Sequence, residues 1–175
     1  MKHLIITASL ILSSLFLLGQ VRPDAAPYNF AAGARVGLFT AGTAKYFLLE
    51  KIALEAIAGI QVKPFSSGIG PQVTLLVEFY HPHVFDVDNL YLFYGGGLST
   101  GYQTYNTTDT RTGAVISSSY GYMGTDGIFG FEYNFTELLN FPVTASADIK
   151  PGLEIFPTPR IGFGSPSISV RYIFR

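Results

Sequence analysis

Apolar and polar side chains alternate with a period of two along most of this chain, and this pattern constrains the fold more than any other feature. The C-terminal end shows the pattern clearly, because Ser167, Ser169 and Arg171 separate the apolar residues Ile168, Val170, Tyr172 and Phe174. A period of two indicates a β-strand with one apolar face and one polar face. These apolar faces are too many and too continuous for one soluble core of this size, so the pattern favours lipid outside and polar groups inside.

Eight such segments can be recognised, and we predict strands at residues 28–39, 42–49, 53–62, 70–80, 89–103, 119–135, 142–155 and 165–174. Their polar faces are rich in Gly, Ser and Thr, which suits the narrow lumen of an eight-stranded barrel. A soluble carrier barrel with its apolar faces inward is the alternative. The prediction is an all-β fold, an eight-stranded antiparallel up-and-down transmembrane β-barrel that occupies residues 28–175.

Composition excludes several other classes of protein. Charged residues make up 13% of the chain, about half the usual share, yet no segment after the N-terminal region is apolar for long enough to span a bilayer as a helix. The formal net charge of -1 gives no electrostatic basis for binding nucleic acid. The chain has no cysteine, which excludes disulfides and thiol chemistry.

The N-terminal region has the organisation of a secretory signal peptide. Lys2 and His3 provide a positive start, residues 4–18 are mostly apolar, and the sequence turns polar from Gln20. A transmembrane anchor is the alternative, but the apolar run is shorter than the roughly 20 residues that a spanning helix needs. We predict a signal peptide at 1–19, with cleavage after Gly19 or near Ala25 and Ala26, and a short tail at 20–27.

Charged residues lie on the polar faces of the predicted strands. By alternation, ten of them point into the lumen: Arg35, Lys45, Glu55, Glu78, Asp126, Glu132, Asp148, Lys150, Glu154 and Arg171. A confined charge has to be paired or hydrated. We therefore favour a network of salt bridges that fills the barrel, in which Arg35 and Arg171 share carboxylates such as Glu55 or Glu132. The alternative is a selective passage for a small solute.

Aromatic residues collect at one end of the predicted meander, where odd strands start and even strands end. An aromatic girdle at a membrane interface is predicted there, formed by Tyr28, Phe30, Tyr46, Phe79, Tyr91, Phe93, Tyr133, Phe135, Phe141, Tyr172 and Phe174. The longest predicted loops, 104–118 and 156–164, lie at the opposite end. Because outer-membrane barrels keep their long loops outside the cell, the girdled end and both termini are predicted to be periplasmic.

Residues capable of catalysis or metal binding are few. His81 and His83 flank Pro82, but no set of carboxylates or cysteines accompanies them, so a polar turn is favoured over a metal site. The glycine run 95–97 lacks the lysine and the strand-to-helix setting of a phosphate-binding loop. The sequence predicts no catalytic residue, no metal and no cofactor.

Several short motifs, taken in order, resemble the small porin-like outer-membrane barrel family of Gram-negative bacteria. They are Lys45-Tyr46-Phe47-Leu48, Tyr94-Gly95-Gly96-Gly97, Asp126-Gly127-Ile128, Asp148 with Lys150-Pro151, and Ser169-Val170-Arg171-Tyr172. The resemblance covers residues 28–174. It implies an integral outer-membrane protein that contacts outer-membrane lipid and is inserted by the barrel-assembly machinery through its last strand.

Taken together, the sequence predicts a monomeric or weakly associating outer-membrane barrel with a structural or surface-interaction role and no enzymatic activity. The alternative is transport of small, possibly apolar molecules through a narrow conduit or by a lateral route.

Overall fold

The computed structural model describes residues 26–63, 68–108 and 115–174. Strands account for nearly all of them: β1 (Phe30–Gly37), β2 (Phe39–Leu49), β3 (Ile52–Lys63), β4 (Gly68–Pro82), β5 (Leu90–Thr108), β6 (Val115–Asn134), β7 (Val143–Phe156) and β8 (Arg160–Phe174). The predicted signal peptide and tail fall almost entirely outside the described residues.

The eight strands form one closed barrel in which each strand is antiparallel to its neighbours in sequence order. Closure is made by β1 and β8, which pair from Phe30 opposite Phe174 to Gly37 opposite Ser167. The predicted eight-stranded antiparallel all-β barrel is therefore confirmed. A closed barrel also removes the unpaired edges that an open sheet would expose.

The two-residue alternation of the sequence separates the inside of the barrel from its outside. In β4, Thr74, Glu78 and Tyr80 are buried in the lumen, whereas Leu75 and Val77 between them are exposed on the exterior. Successive side chains of a strand point to opposite faces, so a strand with this sequence has one possible orientation once its charged residues are placed inside.

Strand lengths differ from the prediction mainly at one end. We call the end that carries the first residues of β1 and the last of β8 the termini-side rim, and the other end the far rim. The predicted far-rim loop 104–118 is wrong over most of its length, because β5 continues to Thr108 and β6 begins at Val115. The predicted loop 156–164 is also wrong, since β8 begins at Arg160. In β5 and β6 a run of Ser and Thr residues continues the ladder, whereas β7 and β8 continue it through Gly152 opposite Gly162 and Glu154 opposite Arg160.

Connections at the termini-side rim contain the remaining local structure. A tight turn joins β2 to β3, a 3₁₀ turn (Val84–Asp86) lies between β4 and β5, and a one-turn helix α1 (Thr136–Leu139) lies between β6 and β7. Phe85 and Asp86 have positive φ values of 58°, which bend the 3₁₀ turn sharply. Neither of these helical segments has the length and apolar character to cross a membrane.

Candidate functional site

The lumen holds the predicted charged residues, and the structure arranges them in two levels. Nearer the termini-side rim, Lys45, Glu55, Glu78, Glu132 and Arg171 are all almost completely buried. We call these five residues the Lys45–Arg171 cluster. The Lys45 Nζ atom lies 2.8 Å from Glu78 Oε2, 3.3 Å from Glu132 Oε2 and 3.5 Å from Glu55 Oε2.

Arg171, on β8, joins two of the same carboxylates. Its guanidinium donates to Glu55 and, at 3.3 Å, to Glu132 Oε2. It also donates to the hydroxyl oxygen of Ser146 at 3.0 Å. Strands β2, β3, β4, β6 and β8 are thus tied together across the lumen, and each charge in the cluster lies beside one of opposite sign.

Two ion pairs occupy the next level toward the far rim. Arg35 forms a bidentate pair with Asp148, in which Nη1 donates to Oδ2 at 2.8 Å. Lys150 pairs with Asp126, which also accepts from Gln72 and Thr74 at 3.4 and 3.3 Å. Glu154, the tenth predicted residue, lies nearer the far rim and is within hydrogen-bonding range of the Tyr120 hydroxyl at 3.5 Å.

The carboxylate partners predicted for the two arginines are confirmed for Arg171 but not for Arg35. Arg171 does bind both Glu55 and Glu132, as the sequence predicted. The prediction that Arg35 shares these carboxylates is wrong, because Arg35 binds Asp148. Arg35 lies near the far end of β1, opposite Ser169 of β8, whereas Arg171 lies opposite Gly33. The two arginines therefore stand at different heights and reach different carboxylates.

Buried aromatic side chains close the lumen below the Lys45–Arg171 cluster. Tyr28, Phe47, Tyr80 and Phe93 point inward, with ring centroids 5.0 Å apart for Tyr28 and Phe47, 4.8 Å for Phe47 and Tyr80, and 5.4 Å for Tyr80 and Phe93. We call these four residues the aromatic plug. Its hydroxyl groups contact the charges above, since Tyr28 and Tyr80 donate to Glu132 at 2.6 and 2.9 Å.

This arrangement corrects the predicted girdle. Tyr28 and Phe93 are wrong as girdle residues, because they are 7% and 0% exposed inside the lumen. Tyr91 also points inward and packs against Tyr80 at 6.2 Å. Strict alternation carried the signal that the prediction missed, because Phe93 shares its face with Gly95, Gly97 and Ser99, and Tyr91 precedes it by two residues. The same rule places Phe47 on the face of Lys45.

The other predicted girdle residues lie on the exterior or at the rim. Phe30 and Phe174 face each other across the β1–β8 closure with centroids 5.3 Å apart, and Phe141 packs against Tyr172 at 5.8 Å. The remaining members are Phe79, which is exposed, and the half-buried Tyr46, Tyr133 and Phe135. Tyr94, which the prediction left out, joins them on the exterior beside Phe79 at 5.9 Å.

The far half of the lumen contains a cavity of about 610 Å³ that opens at the far rim. Gln72, Asp126 and Lys150 form its floor, and its mouth lies near Glu154 and Arg160. The Gln72 side chain is 3% exposed, and its Oε1 atom has no hydrogen-bond partner among the described residues. We call this space the far-rim cavity. The cavity was not predicted from the sequence, although it is lined in part by small residues of the polar faces, Ser99, Gly152 and Ser165.

His81 and His83 lie in different surroundings. His81 stacks on the exterior ring of Tyr94 at 5.5 Å, whereas His83 lies 3.9 Å from Asp88 at the rim. In the described parts of the chain, no group of three or more His, Cys, Asp or Glu residues could hold a metal ion.

Comparison with known proteins places the fold. No protein-family model matches the sequence, and no curated protein matches it significantly. Among solved structures, the N-terminal β-barrel domain of Pseudomonas aeruginosa OprF is similar, with a TM-score of 0.57 and 15% identity over 83% of this chain and 95% of that one. Neisserial surface protein A has a TM-score of 0.52 and 15% identity over 83% of this chain and 93% of its own. The chain therefore has the closed eight-stranded barrel fold that small outer-membrane proteins such as these share.

Proposed function

We propose that this chain is an integral outer-membrane β-barrel whose lumen is closed by its own side chains, and that it has a structural or surface-interaction role. One observation carries the proposal: the same strands present apolar side chains on the exterior and paired charges in the lumen. In water, such an exterior would be an aggregation surface. In a bilayer it faces hydrocarbon, and the charges are kept away from lipid.

The orientation proposed is with both termini in the periplasm. Its support is the length of β5 and β6, which have 19 and 20 residues. A transmembrane strand needs only about 9–11 residues, so these two strands extend well beyond the membrane at the far rim. Large extensions of outer-membrane barrels lie on the outside of the cell. An external ribbon of this kind is a natural surface for interaction.

Membrane integration is tested by alkaline carbonate extraction and by gel mobility with and without heating. We expect the protein to stay with the membrane fraction and to change its apparent mass on heating, because a closed barrel resists detergent until its strands separate. Recovery in the soluble fraction would contradict the proposal. The unheated gel would also show whether the protein is a monomer, as we propose. We further propose that the barrel-assembly machinery inserts it.

We also propose that the protein is non-enzymatic, and the closed lumen favours a non-conducting barrel. An ion crossing the lumen would have to pass the aromatic plug and the Lys45–Arg171 cluster, both of which are almost completely buried. Side chains fill the interior of an eight-stranded barrel, whereas porins with 16 or more strands keep a channel. In planar bilayers we expect no stable conductance steps from the purified protein. A steady, ion-selective conductance would favour the conduit instead.

A second candidate is the lateral transport of small apolar molecules, and one feature of the wall favours it. Strand β1 ends at Gly37 and the turn to β2 is at Leu38, whereas β8 extends to Arg160. A lateral route needs an opening only in the outer half of the wall and does not have to pass the aromatic plug.

A further inference from the structure

The barrel wall is incomplete near the far rim because its first hairpin is short. The last pair between β1 and β8 is Gly37 opposite Ser167, so residues 160–166 of β8 extend beyond the end of β1. On the other side, β2 pairs with β3 as far as Phe39 opposite Gln61, and the Val62 N–H donates to the Leu38 carbonyl at 2.9 Å, so the hairpin turn ends level with Val62 and only the end of β3 lies beyond it. Among the described strands, β8 and β3 therefore flank a gap above Leu38, which we call the hairpin gap.

The hairpin gap begins at the height of the apolar exterior. Strand β1 has eight residues, which rise roughly 20 Å at about 3.3 Å per residue and a tilt of about 40°. The apolar band of an outer-membrane barrel is roughly 25 Å tall. Exposed Ile60 and Val62 of β3 continue the apolar exterior up to the level of the turn. The lower edge of the gap is thus in contact with lipid and its upper part with the headgroup region.

The gap leads directly into the far-rim cavity. Leu38, Val62, Ile161 and Gly162, which border the gap, also line the cavity. Unpaired strand edges are not tolerated in hydrocarbon unless they line a polar or water-filled space. The free edge of β8 at residues 160–166 meets this condition because it borders the cavity.

The chemistry of the cavity changes from its opening to its floor. Apolar side chains border the gap, whereas the floor holds the Asp126–Lys150 ion pair and the carboxamide of Gln72. The free group at the floor is an acceptor, Gln72 Oε1, so a ligand there has to donate a hydrogen bond. The charges along the cavity balance, with Asp126 and Glu154 against Lys150 and Arg160, so a net charge on the ligand would have no partner.

We infer that the far-rim cavity binds a single-chain amphiphile with an uncharged, hydroxyl-bearing head group that enters laterally through the hairpin gap. The head group donates to Gln72 Oε1 on the floor, and the chain passes between Leu38 and Ile161 into the surrounding lipid. A volume of about 610 Å³ is within the range of about 300–1,000 Å³ for small-molecule sites. It suits one head group with part of one chain. This inference rests on the membrane placement proposed above.

The test uses the full protein in lipid nanodiscs and a photoactivatable monoacylglycerol with a diazirine on its chain. We expect labelling of the segments around Leu38 and Ile161 that unlabelled monoacylglycerol suppresses. A fatty acid or an alkylammonium of equal chain length should compete at least tenfold less well, because either one brings an uncompensated charge. Labelling that no competitor reduces, or equal competition by all three, would overturn the inference.

Two variants probe the floor and the opening separately. Gln72→Leu removes the acceptor and should weaken saturable labelling about tenfold, the value of one hydrogen bond. Its control is Gln103→Leu, a buried lumen glutamine that does not line the cavity. Unchanged labelling of Gln72→Leu, or an equal loss in both variants, would overturn the role of Gln72.

The second variant fills the cavity beside the gap. A Cβ at Gly162 would lie 3.5 Å from the Gly152 carbonyl oxygen, an ordinary contact, so Gly162→Phe places its ring in the cavity without a backbone clash. The control Gly121→Phe has similar space, with 3.8 Å to the nearest atom, but lies on the exterior. Saturable labelling should be lost in Gly162→Phe and retained in Gly121→Phe. Retention in both would contradict the site.

The two proposals fail in different ways. If the wild-type protein resists carbonate extraction and shifts on heating but shows no saturable labelling, only the binding site is wrong. If the protein does not integrate into membranes, the membrane placement is wrong, and the lateral binding site that depends on it is wrong as well.

Discussion

The two halves of the lumen share one wall but differ in what fills it. The termini-side half contains the aromatic plug and the Lys45–Arg171 cluster, whose members are nearly all inaccessible to solvent. The far half contains Gly152, Ser165 and a cavity of about 610 Å³. Since the same eight strands form both halves, the difference comes from side-chain size and from the early end of β1. The number of strands therefore does not determine whether a lumen is filled. One barrel can be closed at one end and contain an open cavity at the other.

The largest expected effect comes from removing a cation in the closed half. Arg171→Met leaves Glu55 and Glu132 with one fewer cation in a buried site, which should cost about 3–5 kcal/mol of unfolding free energy. Arg160→Met, at the exposed mouth of the cavity, should cost about 1 kcal/mol or less. Urea unfolding in detergent, followed by circular dichroism, measures both. Equal losses would mean that the two halves are equally hydrated.

A charge on the exterior tests whether the cost of a charged side chain depends on its height along the barrel. Ala147→Arg places a cation on the lipid face of β7, and we expect it to cost about 2–4 kcal/mol near the bilayer midplane. Ile161→Arg, beyond the end of β1, should cost about 0–1 kcal/mol, since such costs fall toward the interface. Folding yield into vesicles gives the comparison. If Ala147→Arg folds as well as Ile161→Arg, the exterior of β7 does not face lipid.

The smallest of the three differences is the interaction energy within the ion pair between the two halves. Arg35→Met and Asp148→Asn each disrupt the bidentate pair. Residues in direct contact usually show interaction energies of about 0.5–3 kcal/mol. The double variant should therefore lose less unfolding free energy than the two single variants lose together, by an amount in this range. Unfolding midpoints of the four proteins complete the cycle. Strict additivity would show that Arg35 and Asp148 act independently in solution.

Much of the barrel could be predicted from residue alternation, because the wall is a local property of each strand. Val77 and Glu78 are neighbours in sequence but face opposite sides of the sheet, and this needs no knowledge of the rest of the chain. The same local rule, applied strictly, would have placed Phe93 in the lumen. The position of an aromatic residue along its strand predicts the rim on which it lies. The two-residue alternation predicts whether it faces the lumen or the exterior.

The contents of the lumen were harder to predict because they depend on height across the barrel. Arg35 could not be matched to Asp148 from sequence, since the pairing depends on the register of β1 with β8 and of β8 with β7. The hairpin gap depends on where β1 stops, and sequence patterns locate strand ends poorly. Long-range register therefore decides which charges meet and where the wall is open.

Cysteine accessibility tests the difference between the two halves most directly, since the native chain contains no cysteine. Ser165 and Ser169 both point inward on β8, but Ser165 lines the far-rim cavity and Ser169 is completely buried below it. With a membrane-impermeant maleimide added outside intact cells, Ser165→Cys should react and Ser169→Cys should react only after denaturation. Equal reaction of the two folded variants, or reaction of Ser169→Cys from the periplasmic side, would contradict a lumen that is closed at the termini-side rim and open at the far rim.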